Sequence, residues 1–320
     1  MIFELLTGRI GNQMFQYATM RAIQEKYFPN DNIMFLLDDM KKSGREEDGF
    51  YNQLYDFKIN KEIIESKDKC HLSTRQIVLL AKYYIHRKMI KLTSKKEDYE
   101  LRKKEYENKI QTKYNRNGLY LFSYGYYPFK ATKQDNKLFL GFFESPKYFD
   151  SIRDKLLNEF EPVANPLECN KKMYQQIADN ESVCVSVRRG DYINTKFENS
   201  AYICTPKYFE DAIAIIKEKV KNPKFIVFSD DIKWVRDNIK FPEGTIYETG
   251  KDPVWEKMRL MYSCKHFIIS NSTFSWWAQY LSRNNNKVVI APSKWRKDGY
   301  DGRDLYMKNW ILIDTQRLDK

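Results

Sequence analysis

The chain has 320 residues, a hydrophobic fraction of 42% and a formal net charge of +12. That fraction excludes an intrinsically disordered chain, and the length suits two domains of ordinary size. The positive excess points to acidic partners, namely a nucleotide, a nucleic acid or an anionic membrane surface, without choosing among them.

Residues 1–6 read as a strand. The turn Thr7-Gly8-Arg9-Ile10-Gly11-Asn12-Gln13 follows, then a helix from Met14 to about Phe28 and a second strand over 33–37. Strand, glycine turn, helix and strand make a βαβ unit. The turn is not G-x-G-x-x-G, so dinucleotide binding is not supported. Gly8 and Gly11 still permit close approach of backbone to a ligand, and Asn12 and Gln13 offer amide donors at the helix start. A plain turn and cap is the simpler reading of that segment alone.

Ile77 to Leu92 carries apolar residues at helical spacing with Lys82, Arg87, Lys88 and Lys91 among them, and a highly charged stretch runs on to Arg116. One reading is a basic amphipathic helix that touches a membrane surface. The other is an ordinary surface helix with snorkelling lysines. The second is simpler, because amphipathicity alone rarely separates the two.

The run 138–149 reads as a strand that breaks at Glu144-Ser145-Pro146 into a helix start, where proline is well placed. The pattern breaks between Glu161 and Pro166, which sets an expected boundary between domains 1–165 and 166–320, the first holding a variable, basic helical region over 70–117. Strands are then expected at 183–187, 224–228, 266–270 and 287–291, with helices at 206–221, 231–238, 254–263 and 273–283. That alternation implies α/β architecture with a parallel sheet covered by helices.

Polar clusters recur just after the predicted strands: Gly8 to Gln13, Arg188 to Asp191, Ser229-Asp230-Asp231 and Asn271-Ser272-Thr273. In a doubly wound fold they would all lie along one edge, where ligands bind. Arg188 and Arg189 follow the apolar run Val183-Cys184-Val185-Ser186-Val187. Guanidinium groups there suit a phosphorylated ligand, gripped by paired hydrogen bonds, or a structural pairing with carboxylates. Asn271 or Ser272 is a natural helix N-cap, and free N–H groups with nearby hydroxyls at Thr273 and Ser275 make an anion site of the same geometry. Asp230 and Glu256 are candidates to accept hydrogen bonds from N1–H and N2–H₂ of guanine, and equally to act as charge partners of helix N-termini. Trp276 and Trp277 cannot face the same way, so at least one is expected to pack in the interior.

No metal site is expected. The three histidines have no ligand spacing, no D-x-D occurs, and the neighbouring acids Asp38-Asp39 and Asp230-Asp231 would point to opposite faces on a strand. His266 reads as structural. The five cysteines are scattered, as free thiols in a reducing compartment would be. With no signal-peptide pattern and no bilayer-spanning run, a cytoplasmic protein is expected. A basic nucleic-acid-binding protein is the non-enzyme alternative, suggested by the net charge and 15% aromatic content. It predicts a known motif or a continuous basic stripe. The basic residues are instead dispersed, apart from 82–116.

Five motifs, taken together, resemble one family. They are Gly8-Arg9-Ile10-Gly11-Asn12-Gln13-Met14-Phe15-Gln16-Tyr17-Ala18, Gly141-Phe142-Phe143-Glu144-Ser145 with Lys147-Tyr148-Phe149, Val187-Arg188-Arg189-Gly190-Asp191-Tyr192, Phe228-Ser229-Asp230-Asp231 and Ser270-Asn271-Ser272-Thr273-Phe274-Ser275-Trp276-Trp277-Ala278. In this order they resemble the α-1,2-fucosyltransferases of glycosyltransferase family 11, of bacterial type.

The resemblance implies a GT-B-like fold of two Rossmann-like domains facing across a cleft, with the acceptor on the 1–165 side and GDP-fucose on the 166–320 side. It implies inverting transfer of L-fucose to the 2-hydroxyl of a galactose, without a metal or other cofactor. Arg188 would hold the β-phosphate of GDP with Arg189 in support. Asn12 would contact the diphosphate or fucose, with Gly11 and Gln13 beside it, and 272–275 would form a second phosphate cradle. Asp191 is the nearest candidate base, with Glu144 and Glu198 as alternatives, although a carboxylate that fixes the loop through an arginine suits Asp191 equally. The implied partners are a galactose-terminated oligosaccharide or lipid-linked glycan, with peripheral contact at the inner membrane leaflet and no nucleic acid. Two positions depart from the family pattern: Ser186 stands where a histidine is common, and Glu256 and Lys257 stand where an aspartate is common. A related GDP-sugar transferase of different linkage is the alternative.

Overall fold

All strand pairings among the described residues are parallel. The computed structural model describes residues 1–37, 51–65, 70–95, 98–193, 195, 198–297 and 302–315, with Glu65 and Asp191 described by their backbone alone. The chain divides into two units, Met1–Glu159 with Asp298–Leu305, and Phe160–Lys297 with Tyr306–Lys320. The second half therefore returns a short segment, 298–305, to the first unit.

The first unit comprises β1 (Ile2–Leu5), α1 (Ile10–Tyr27), β2 (Ile33–Leu36), β3 (Ile64–Glu65), α2 (Thr74–Thr93), α3 (Tyr99–Arg116), β4 (Leu119–Phe122), β5 (Lys137–Gly141) and α4 (Arg153–Glu159). Its sheet runs β3-β2-β1-β5-β4, so the strand order reverses between β1 and β5. Gly141 is required there: a Cβ on it would sit 1.7 Å from the Phe122 carbonyl oxygen.

α1 is buried nearly all round, which is why its sequence shows no clean apolar stripe. Several of its polar side chains find partners within the unit. Tyr17 donates to Glu159 at 2.6 Å, and Arg21 Nε meets the other oxygen of Glu159 at 3.1 Å. α2 opens on a capping box formed by Ser73 and Gln76. At its other end Arg102 donates to the Thr93 carbonyl and the Ser94 hydroxyl. The charged stretch before Arg116 is the second helix of this pair, α3. Its buried Glu107 accepts from the hydroxyls of Tyr83, Ser123 and Tyr127, which pins both helices to the sheet.

The second unit comprises α5 (Lys171–Asp179), β6 (Glu181–Val187), α6 (Glu198–Ala201), α7 (Pro206–Lys219), β7 (Pro223–Ser229), α8 (Ile232–Asn238), β8 (Ile246–Tyr247), α9 (Val254–Ser263), β9 (His266–Ile269), α10 (Thr273–Leu281), β10 (Val289–Pro292) and β11 (Ile311–Ile313). The sheet order is β11-β10-β9-β6-β7-β8, reversing between β6 and β9. Val183, Val185, Phe225, Val227, Ile268 and Ile290 pack under α7 in one apolar cluster.

Trp276 and Trp277 are both fully buried; Trp277 packs edge-on against Phe160 at 5.1 Å and Trp276 stacks on Tyr280 at 4.9 Å. His266 is structural, accepting from Val288 N through Nδ1 and meeting Glu181 through Nε2. All five cysteines are unpaired. Among the described residues no helix is long and apolar enough to cross a membrane.

The expectation of one shared edge is corrected here. The Gly8 cluster belongs to the first sheet and the other three clusters to the second, because the chain builds two sheets rather than one.

Candidate active site

β6 is the central strand of its sheet, with β9 on one side and β7 on the other. The loops after β6 and β9 therefore open at the point where strand order reverses, the usual ligand crevice of an open parallel sheet. The sequence places Arg188, Arg189, Ser272 and Thr273 there.

Arg188 Nη1 pairs with Asp230 Oδ2 at 2.7 Å, each side chain 25% exposed. Asp230 also accepts from the backbone N–H of Arg189 at 2.9 Å. The Asp230 carboxylate thus ties the loop after β6 to the loop after β7. Gly190 is what allows this approach, since a Cβ there would lie 2.6 Å from Asp230 Oδ2. Of the two sequence readings for Arg188, the pairing with a carboxylate is formed in this structure. It also holds the guanidinium, part-exposed, at the strand edge. Asp230 is engaged by both arginines rather than presented as a base reader.

Arg189 is held harder. Its Nε donates to Asp231 Oδ2 at 3.2 Å, and its guanidinium carbon stacks 3.8 Å from the centre of the Trp234 ring. Asp231 in turn caps α8, accepting from Trp234 N at 3.1 Å. Asp231 and Trp234 are contributors the sequence reading missed; the aromatic three residues beyond an N-cap aspartate was the available signal.

The loop after β9 divides its duties. Asn271 is buried: its amide donates to the carbonyls of Ala201 and Trp295, and its Oδ1 faces the Cys204 thiol. Ser275 is buried as well, its hydroxyl 2.6 Å from that of Ser186 and 3.3 Å from that of Ser270. Both were expected to bind substrate; in this structure both serve as internal brackets that shape the loop. Ser186, where the family commonly has histidine, serves the same bracket. Ser272 and Thr273 remain at the surface of this edge. Ser272 stands at the N-cap of α10 in extended conformation without a side-chain cap bond, which leaves its hydroxyl for another acceptor or donor.

Glu256 is turned into the interior of the second unit. It is fully buried in the first turn of α9 and accepts from Leu167 N, from the Asn170 amide and from Arg259 Nη1, each at 3.1 Å. Both of its oxygens are thus engaged inside the protein, which favours the helix-terminal charge partner of the two sequence readings. Lys257 instead reaches the loop beyond β8, 3.8 Å from Glu248. Burial raises the Glu248 carboxyl above the ordinary range, with Lys257 opposing the shift.

In the first unit, Gly8 adopts φ +76° and lies so close to Asn12 that a Cβ would meet its Nδ2 at 2.5 Å. Asn12 is half-buried beside that turn, in the first turn of α1, which follows β1 at the switch point of its own sheet. Gly11 is buried inside the first turn of α1. Gln13 is fully buried: its amide donates to the Gly8 and Tyr51 carbonyls and its oxygen accepts from Gln53 N. Expected to contact substrate, it clamps the 51–53 segment in this structure. Glu144 is buried after β5, and Glu198 is half-buried at the start of α6. The Asp191 backbone lies in the 3-10 turn Gly190–Tyr192, and its side chain lies outside the described residues, as do Asp38 and Asp39. Among the described residues no group of His, Cys, Asp or Glu is arranged to hold a metal.

Two α/β units in one chain, each on a parallel sheet whose strand order reverses, give it a GT-B-like fold. The sequence profile of glycosyl transferase family 11 matches residues 1–314, and the chain belongs to that family. It is 29% identical to an alpha-1,2-colitosyltransferase of Escherichia coli over 97% of either chain. It is also 29% identical to the O-antigen biosynthesis glycosyltransferase WbnK of Escherichia coli, over 98% of this chain and 100% of that one. Galactoside alpha-(1,2)-fucosyltransferase 1 of Leontopithecus chrysomelas is 27% identical over 56% of this chain and 47% of its own length.

Proposed function

We propose that the protein is an inverting, metal-independent α-1,2-fucosyltransferase. It moves L-fucose from GDP-fucose to the 2-hydroxyl of a galactose, in a galactose-terminated or lipid-linked surface glycan, from the cytoplasmic side of the membrane. The observation that carries the reading is Arg188, held at the switch point of the second sheet in a chain of family 11.

The bond from fucose C1 to the β-phosphate oxygen breaks, and a bond from C1 to the acceptor oxygen forms on the opposite face. Negative charge grows on the leaving diphosphate. Arg188 neutralises it, taking phosphate oxygens in place of, or beside, the Asp230 carboxylate. The hydroxyls of Ser272 and Thr273 add donors at the N-terminus of α10. Arg189, fixed by Asp231 and Trp234, keeps the loop in place. The acceptor hydroxyl gives its proton to a carboxylate, for which Asp191 stands closest in sequence to Arg188.

A second donor is favoured by one observation, the colitosyltransferase among the full-length relatives. The test supplies GDP-fucose and GDP-colitose separately, with lactose or a Galβ1,3GalNAc acceptor, with and without EDTA, and determines the product linkage. An α-1,2-fucosylated product that survives EDTA is expected. Transfer from GDP-colitose alone would replace the donor; a different linkage would replace the regiochemistry; loss with EDTA would overturn metal independence.

A further inference from the structure

α2 is apolar on two opposite sides. Gln76, Leu79, Tyr83 and Ile90 are buried against the first unit. On the far side Ile77, Val78, Tyr84, Ile85, Met89 and Leu92 are exposed, Leu92 by 76% and Ile85 by 61%. At 3.6 residues per turn these six fall in one stripe, centred opposite the buried row. They are half of the twelve large hydrophobic side chains that lie exposed among the described residues, gathered on one helix. Scattered exposed apolar residues are ordinary, whereas a continuous stripe marks a covered surface.

The charge on the helix says what covers it. Its 20 residues contain Arg75, Lys82, Arg87, Lys88 and Lys91 and no Asp or Glu, in a chain with 43 acidic residues. On the helical wheel Lys82 and Lys91 border the stripe and Lys88 stands within it, where a long side chain can bury its stem and lift its ammonium to a headgroup. A second copy of the chain meeting this face isologously would set cations against cations. An anionic lipid surface takes the apolar side chains and neutralises the lysines together.

We propose that the outer face of α2 lies on an anionic lipid bilayer, parallel to its plane, and holds the first unit at the membrane. This decides in favour of the membrane reading of 77–92 over that of an ordinary surface helix. It stands independently of which sugar the enzyme transfers.

The test sediments the full chain, without donor or acceptor, with vesicles of phosphatidylcholine alone and with phosphatidylglycerol added, at low and high salt. Two variants accompany it, Ile85→Ser/Met89→Ser/Leu92→Ser and Lys82→Glu/Lys88→Glu/Lys91→Glu. All six positions point away from the core, so thermal unfolding of both variants should match the unaltered protein. The unaltered protein is expected to bind the anionic vesicles, more weakly in high salt, and not the neutral ones. The lysine variant should bind at least about five-fold more weakly per charge altered, and the serine variant at least about ten-fold more weakly. No binding by the unaltered protein, or undiminished binding by the serine variant, overturns the proposal. So does concentration-dependent self-association that the serine variant abolishes, with no vesicle binding, since the face would then be an interface between copies.

Discussion

At the switch point of the first sheet the polar side chains turn inward and are consumed. Gln13 clamps Gly8, Tyr51 and Gln53. Gln16 donates to Glu4, to the Leu5 carbonyl and to the Gly141 carbonyl. At the switch point of the second sheet the internal work falls to the neutral groups of Asn271, Ser186 and Ser275, while the charged groups Arg188, Arg189 and Asp230 stay part-exposed at the rim. One fold plan thus yields an edge whose glutamines are engaged inside the protein and an edge that keeps an arginine–aspartate pair at its rim. The family's motif residues cover both, so a motif residue is not by that fact a ligand-binding residue.

The contrast is testable from both ends. Arg188→Ala should lower kcat/KM for transfer by about 10²–10³-fold, the usual effect of removing one donor to developing charge. Its unfolding free energy should change by about 1 kcal/mol or less, because the lost pair is part-exposed. Normal turnover in the folded variant would strip the second edge of its phosphate role. Gln13→Ala should do the reverse. It leaves buried backbone groups unpaired and should destabilise by about 3 kcal/mol in urea unfolding. A stable Gln13→Ala protein with a raised donor KM would show that the first edge also binds directly.

Glu256→Gln should reduce stability by about 2 kcal/mol through weakened bonds to Leu167, Asn170 and Arg259. Its affinity for GDP, measured by calorimetry, should be unchanged; a large loss of GDP affinity at unaltered stability would restore the base-reading role. The smallest effect concerns Glu4, fully buried and held well above the ordinary carboxylate range by desolvation. A raised folded-state value means that the native protein holds this proton more tightly than the unfolded chain. The stabilisation is complete below the unfolded value and is lost as pH rises through the folded one. Thermal midpoints of the unaltered protein should therefore fall as pH rises above the ordinary carboxylate range, and Glu4→Gln should flatten part of that slope. Parallel slopes in the two proteins would place the titration elsewhere.

The strands of the second unit were legible because buried parallel strands are short β-branched runs: 183–187, 224–228 and 266–270 correspond to Glu181–Val187, Pro223–Ser229 and His266–Ile269. Leu119–Phe122 escaped, although Gly118 at φ +72° marks the turn that ends α3. It follows a long charged helix, and four residues give no period to read. Ile246–Tyr247 is shorter still. Within the site, the placement of Arg188 and Arg189 at a strand end was legible because they close a buried apolar run. The roles of Gln13, Asn271, Ser275 and Glu256 were not, because a neutral amide, a hydroxyl or a carboxylate is equally suited to a ligand and to a neighbouring backbone. Only the partner decides, and the partners lie far away in sequence: Gln53 for Gln13, Trp295 for Asn271, Ser186 for Ser275 and Leu167 for Glu256.

The returning segment 298–305 sets a schedule. Asp304 accepts from the Tyr126 backbone N–H and pairs with Lys147, 157 residues earlier in the chain. During synthesis at about 5–20 residues per second, roughly 8–30 seconds separate the emergence of Lys147 from that of its partner. The nascent first unit spends that interval with this corner open while the second sheet is being made. Its closure therefore waits until the strands β6 to β10 of the second sheet have been synthesised.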